Sequence, residues 1–191
     1  MPLTLITAPT AEPVTLAEAK LHCRVETSMT ADDALINALI SAAREQVEHT
    51  LGRSLMTQVL ERVLDAFPDG GIELGMPPQQ AIVSVKYLDT AGGEVTLGST
   101  AYSLDTDSLP GWLLPDADTG WPEAGAIANA VRVRFTAGYA SADAVPDSIK
   151  QWILIHVGYW YANREAASDR KLERLPYVDC LLDRWRIWSV G

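Results

Sequence analysis

Apolar positions along the chain follow one rhythm near its start, another through its middle and the first again towards its end. In "TADDALINALISAAREQVEHTLGRSL", Leu35, Ile36, Leu39, Ile40, Ala43, Val47 and Leu51 recur at three- and four-residue steps, the stripe of an amphipathic helix. Asp32 and Asp33 suit the positive N-terminal end of that helix, and Gly52 suits a left-handed stop. Ahead of it, Thr15 and Glu18 in "TLAEAKLHCRVE" stand at capping-box spacing and predict a shorter helix.

After Gly52 the pattern changes to short runs: "TQVLERVLDAF", "AIVSVKYLD", "EVTLG", "AYSLD", "GWLLP" and "AVRVRFTAGY", separated by Gly, Pro, Asp and Asn. These predict strands and turns. "VRVRF" alternates, with Val131, Val133 and Phe135 on one face and Arg132 and Arg134 on the other, as in a half-solvated antiparallel strand. Residues 57–67 fit strand or helix alike. The paired glycines of "DGGIELG" and "TAGGEV" lie between strand-like runs and predict hairpin turns.

The hand-over back to helix comes in "RFTAGYASADAVPDSIKQWILIHVGYWYANRE". Pro146 suits the first turn of a helix, where its missing amide hydrogen has no partner to lose, and Asp147 complements the dipole. Ile149, Trp152, Ile153, His156, Val157, Trp160 and Tyr161 then form an apolar and aromatic face too wide for a free surface. After a charged loop at 163–174, "LPYVDCLLDRWRIW" carries Val178, Leu181, Leu182 and Trp185 at helical spacing.

With 48% hydrophobic residues over 191 positions, the chain has the material for one domain, or one domain with a large insertion. Fifteen basic against 25 acidic residues argue against general binding to nucleic-acid phosphates. The imbalance is uneven: residues 65–129 hold ten acids and one base, whereas residues 150–191 hold seven bases and five acids. The first residues carry no basic segment ahead of their apolar ones, so they do not predict a signal peptide, and the apolar stretch between Lys150 and Arg164 is too short to span a bilayer. Cys23 and Cys180 form neither a disulfide framework nor a metal-ligand spacing, and predict buried free thiols in a reducing compartment.

No motif marks a catalytic, cofactor or metal site. His22, His49 and His156 are far apart, and a histidine on an apolar helix face such as His156 predicts a hydrogen-bonded core residue. There is no phosphate-cradling glycine loop and no nucleophile elbow. The six tryptophans are the unusual feature. Trp152 and Trp160 predict core packing, whereas Trp112, Trp121, Trp185 and Trp188 fall in loop-like or terminal contexts, where interface anchoring and local packing are both open.

Taken in order, "PVTLAEAKLHCRVE", "DDALINALISAAREQVEHTLGRSL", the strand-rich middle with "VKYLDTAGGEVTL", "VRVRFTAGYASADAVPDSIKQWILIHVGYWYANRE" and "LPYVDCLLDRWRIW" resemble the head-tail connector, or adaptor, family of tailed phages and phage-like gene-transfer particles. The resemblance runs over nearly the whole chain. It implies an α+β fold with a helical core from both chain ends and a β-rich insertion between the long helices. The parts are then residues 1–52 as the N-terminal helical part, 53–138 as the insertion, and 139–191 as the C-terminal helices and docking tail. It further implies a structural, non-enzymatic subunit that forms a dodecameric ring beneath a portal protein, next to a stopper or tail-completion protein. DNA would be only passing cargo, no membrane would be involved, and no cofactor would be needed. The place implied is the neck of a virion or phage-like particle, and the host cytoplasm during assembly.

The ending "RWRIWSVG" departs from the short arginine-containing stretch usual in that family. Arg184, Trp185, Arg186, Ile187 and Trp188 alternate charge with large apolar surface and are the expected portal-docking residues; Trp112 and Trp121 are the expected interface aromatics. Two other functions fit the composition: a small hydrolase with a carboxylate pair in the insertion, which needs a pocket with two convergent acids, and a carbohydrate- or peptide-binding module using Trp112 and Trp121.

Overall fold

The computed structural model describes residues 3–163 and 176–187. The chain is a mixed α+β protein that divides into two compact units, one comprising residues 1–10 and 56–139 and the other residues 11–55 and 140–191.

The second unit is helical. Helix α1 (Leu16–Cys23) opens on the expected capping box: Glu18 N donates to Thr15 Oγ1 at 3.2 Å, and Thr15 N donates to Glu18 Oε2 at 2.7 Å. The Thr15 hydroxyl also holds the Glu18 carboxyl below its ordinary pKa. Helix α2 (Asp33–Leu51) buries Ile36, Ile40, Ala43, Val47 and Leu51 and ends at Gly52 with φ 65°. Each of these larger apolar side chains contributes on the order of 1.5–3 kcal/mol on burial, so the stripe read from the sequence is also what holds the helix. The α1–α2 loop is closed by buried Lys20, whose ammonium donates to the carbonyl of Met29 at 2.7 Å and pairs with Asp33.

Helix α3 (Asp147–Ala162) packs on both α1 and α2 and buries Ile149, Trp152, Ile153 and Val157. Pro146 caps this helix from outside its first turn, and its carbonyl accepts from Ile149 N at 2.9 Å. A Cβ on Gly158 would lie 3.0 Å from His22 Cδ2, so the glycine permits the close approach of α3 to α1. His156 is hydrogen-bonded as expected but half-buried and not in the core: its ring stacks on Trp152 at 3.6 Å, and its Nδ1 lies 2.9 Å from the Trp152 carbonyl. A single helical turn, α4 (Pro176–Asp179), and a 3-10 turn (Asp183–Trp185) follow, with Val178 and Leu182 buried.

The first unit is built of strands: β1 (Leu3–Thr7), β2 (Gln58–Leu64), β3 (Ile72–Glu73), β4 (Gln79–Leu88), β5 (Glu94–Thr96), β6 (Tyr102–Asp105), β7 (Trp112–Pro115) and β8 (Val131–Ala137). They form a five-stranded sheet in the order β1-β2-β8-β4-β5 and a three-stranded sheet in the order β3-β7-β6, every pair antiparallel. Leu60, Val85, Val131, Val133 and Phe135 of the large sheet and Ile72 and Leu113 of the small one share a single buried core. The "TAGGEV" turn is a hairpin as expected, with Asp89 N donating to Gly93 O and Gly92 at φ 86°.

Six details differ from the sequence reading. The glycines of "DGGIELG" form no hairpin, because β3 pairs with β7 and with neither strand next to it in sequence, and Trp160, expected in the core, is half-buried. Residues 57–67, open between helix and strand, give strand β2, because both sheet neighbours, β1 and β8, pair with it. Residues 1–10 cluster with the strands and not with the helical residues up to 52, since β1 completes the large sheet by pairing with β2, a partner far along the chain. The final segment is one turn of α-helix and a 3-10 turn instead of a continuous helix. The cysteines are not both buried: Cys23 is half-buried, and Cys180 is exposed.

Candidate functional site

Two opposed outer faces of the β-rich unit carry its chemistry. On β8, alternation sends Val131, Val133 and Phe135 into the core and Arg132 and Arg134 outward, each guanidinium side chain nearly half exposed. Glu61 lies across from them on β2, 4% exposed, accepting from Arg132 Nη1 at 2.9 Å and Arg134 Nε at 2.6 Å. Burial alone would raise the Glu61 carboxyl, but the hydrogen bonds from Arg134 and Arg132 outweigh it and hold the group below its ordinary range. Lys86 extends this face beside Arg132 and pairs with Glu94 at 2.7 Å, which lowers the Glu94 carboxyl.

The lowered pKa of Glu61 fixes a pH dependence. Its contribution to stability is fully present above the unfolded-state value of about 4.3 and is lost as pH falls through the lower folded-state value. Glu61→Gln is therefore expected to destabilise the protein at neutral pH, with a gap from the wild type that closes as the medium is acidified below about pH 4. Urea denaturation of both proteins at a series of pH values checks this; a gap that widens on acidification contradicts it.

The outer face of the small sheet is different. Trp112 pairs with Glu73 of β3 on one side and with Asp105 of β6 on the other, and residues directly opposite in antiparallel strands share a face. The half-buried indole thus sits in a row between two carboxylates, with exposed Leu114 two residues on. Asp105 is held ionised, its carboxyl lowered first by the Ser108 hydroxyl and then by the Asp107 and Ser108 amides. Gly71 lies against this face: a Cβ there would fall 2.6 Å from Leu114 Cδ2 and 3.2 Å from Trp112 Cε3. The other expected interface aromatic, Trp121, packs locally. It stacks on Phe67 at 4.9 Å and donates its Nε1 hydrogen to Gly70 O at 2.8 Å.

In the C-terminal segment, Trp185 Nε1 donates to Ser148 Oγ at 2.9 Å, and its carbonyl accepts from Arg53 Nε at 2.6 Å. Ile187 N donates to Leu51 O at 3.0 Å. Trp185 and Ile187 are thereby tied to the helical unit. Arg184 is exposed, with its guanidinium 5.3 Å from the Trp185 ring centroid, and Arg186 lies 3.6 Å from Asp183. Trp188 lies outside the described residues.

Sequence reasoning missed a buried charge network in the helical unit. Arg44, 6% exposed, donates through Nε to Glu12 at 2.8 Å and through Nη1 to Glu48 at 2.9 Å. Ser41 also donates to Glu12, and Glu48 accepts from Leu55 N at 2.7 Å. Arg44 and Glu48 fall four residues apart on α2, so spacing allowed the pair but gave no sign of its burial.

A recess of about 270 Å³ is lined by Lys86, Tyr87, Leu88, Glu94, Ala128, Asn129, Ala130 and Arg132. Glu94 is the one carboxylate among the described residues that line it, and it accepts from Lys86. Among the described residues, no group of three or more His, Cys, Asp or Glu side chains could hold a metal ion, and no helix is long and apolar enough to cross a membrane.

One unit of helices drawn from both halves of the sequence and one antiparallel two-sheet unit make up a fold seen in particle necks. The chain is similar, at TM-score 0.82 and 22% identity over 100% of its own length and 98% of the other chain, to a chain in the virion of the native gene transfer agent particle. It is similar at TM-score 0.80, with the same identity and coverage, to chains in the neck of the native particle computed with C12 symmetry and of the empty particle computed with C6 symmetry. In sequence, residues 13–103 match the family of phage gp6-like head-tail connector proteins. No curated protein matches the chain in sequence.

Proposed function

We propose that this protein is a structural head-tail connector subunit that forms a ring beneath a portal and lines the passage for DNA. The observation that carries the reading is full-length agreement in fold with chains of gene transfer agent particles, including their symmetric necks, joined to a connector-family match over residues 13–103. In this reading the helical unit, drawn from both ends of the chain, is the ring core, and the β-rich unit is an insertion in it.

Physics favours such a role over catalysis. A subunit that closes a ring head to tail needs two different surfaces, and the β-rich unit has two outer faces of unlike charge. An acidic lining denies phosphates the contacts that would hold passing DNA. Portal and stopper or tail-completion proteins are the partners the reading calls for.

Portal docking falls to the C-terminal segment in this reading. Because Trp185 and Ile187 are tied to the helical unit, exposed Arg184 is the residue to test there. Native mass spectrometry of the chain mixed with its portal is expected to show a connector ring stacked on the portal ring. Arg184→Glu should weaken that docking about tenfold or more, as loss of one interfacial arginine contact does, without changing the melting temperature. Unchanged docking by the variant would move the portal contact elsewhere.

A further inference from the structure

The two outer faces of the β-rich unit are matched to each other in chemistry, and both are formed by one chain. Residues 1–10 and 56–139 contain four basic and eleven acidic residues. Three of the four bases, Lys86, Arg132 and Arg134, stand together on the outer face of the large sheet. Val131, Val133 and Phe135 point the other way, into the core shared with Ile72 and Leu113. Glu73 and Trp112, the neighbours of Ile72 and Leu113 in sequence, point away from that core on the far side. The basic face and the Trp112 face are therefore on opposite sides of the unit.

We infer that the Trp112 face is an arginine receptor for a second copy of this chain, and that it takes Arg132 and Arg134 of the next subunit around the ring. The inference rests on the connector reading for the ring itself. An aromatic face between two carboxylates is what a guanidinium matches best: its plane stacks on the indole while its edges donate to the acids. Glu73 and Asp105 flank Trp112 in register, and Asp105 is kept ionised by its own hydrogen bonds. Exposed Leu114 adds apolar area beside the indole. On the donor side, Arg132 and Arg134 each give Glu61 one nitrogen, and a guanidinium has five N–H donors. Glu61 thus fixes the two guanidinium groups in place and leaves donors for another partner. A patch and its complement on opposite sides of one unit produce a head-to-tail contact, the kind that closes a cycle.

The test places the photo-cross-linker benzoylphenylalanine at exposed position 114, beside the intact Trp112 indole, and, in a separate protein, at exposed position 21 of the helical unit as a control. Irradiation of concentrated full-length protein is expected to give a ladder of cross-linked oligomers from position 114, with the adduct on residues 131–137 of the neighbouring copy. Glu73→Lys and Arg132→Glu, each introduced singly, should cut that ladder about tenfold through like-charge contact, and the two together should restore it. Arg134 still holds Glu61 in the Arg132→Glu protein, but that variant loses one of the two guanidinium bonds on Glu61 and should melt lower, so all proteins are cross-linked at one temperature below the melting transition of the least stable. A ladder from position 21 alone, adducts away from β8, or a double variant no better than the singles overturns this interface and leaves the ring standing. No ladder from either position, with a single species in sedimentation, takes the ring reading down as well.

Discussion

Gly138→Ala is expected to prevent the β-rich unit from folding. Gly138 follows strand β8 with φ 114°, a backbone conformation that only glycine adopts without strain. A Cβ there would overlap the Met56 carbonyl group and come within 2.8 Å of Thr57 N, and both are backbone that has nowhere to move. Met56 and Tyr139 form a β-bridge at this point, and Gly138 itself donates to Pro78 O and accepts from Gln80 Nε2. The cost should exceed about 4 kcal/mol, a large part of the 5–15 kcal/mol by which ordinary domains are stable. Gly120→Ala is the comparison: it also has positive φ, at 65°, but open space around it, so only the left-handed backbone penalty of about 1–2 kcal/mol applies. Soluble yield and thermal melting should separate the two variants clearly; equal behaviour would mean that the close approach at Met56 is not rigid.

Arg44→Met is expected to cost about 3–5 kcal/mol, because removing one partner of a buried ion pair strands the other. The methionine has nearly the length of the arginine stem, so packing changes little. What changes is that Glu12 and Glu48 lose their cation while Glu48 remains on the buried face of α2. Arg44 is resistant to neutralisation in the wild type: burial works against its charge, and Glu12 and Glu48 more than restore it. Adding Glu48→Gln to Arg44→Met should recover much of the loss, since the amide keeps an acceptor for Leu55 N without a buried charge. Urea denaturation of the single and double variants checks this. A single variant within 1 kcal/mol of the wild type, the range of an exposed pair, would show that the network is solvated.

Much of this architecture was legible in the sequence, for local reasons. The Thr15–Glu18 box, the α2 stripe and the alternation of Val131 to Phe135 each depend on residues a few positions apart, and each is present as read. The connector resemblance was legible from the order of such segments. The rest depended on distance along the chain. Strand β1 has no pattern strong enough to declare itself, because its pairing partner is β2. The charge network needs Glu12, Arg44 and Leu55 to meet, and the Glu73-Trp112-Asp105 row needs three strands in register. Trp112 could be named as unusual, but the carboxylates on either side of it belong to other strands. Trp121, named for the same reason, found its partners in Phe67 and Gly70.

Electron microscopy and native mass spectrometry of the chain purified with its portal would reveal a connector ring on the portal or its absence. A closed ring of connector subunits stacked coaxially on the portal, in matching stoichiometry, is the expected result. Persistent monomers, or one-to-one heterodimers with portal subunits when both are at saturating concentration, would contradict it.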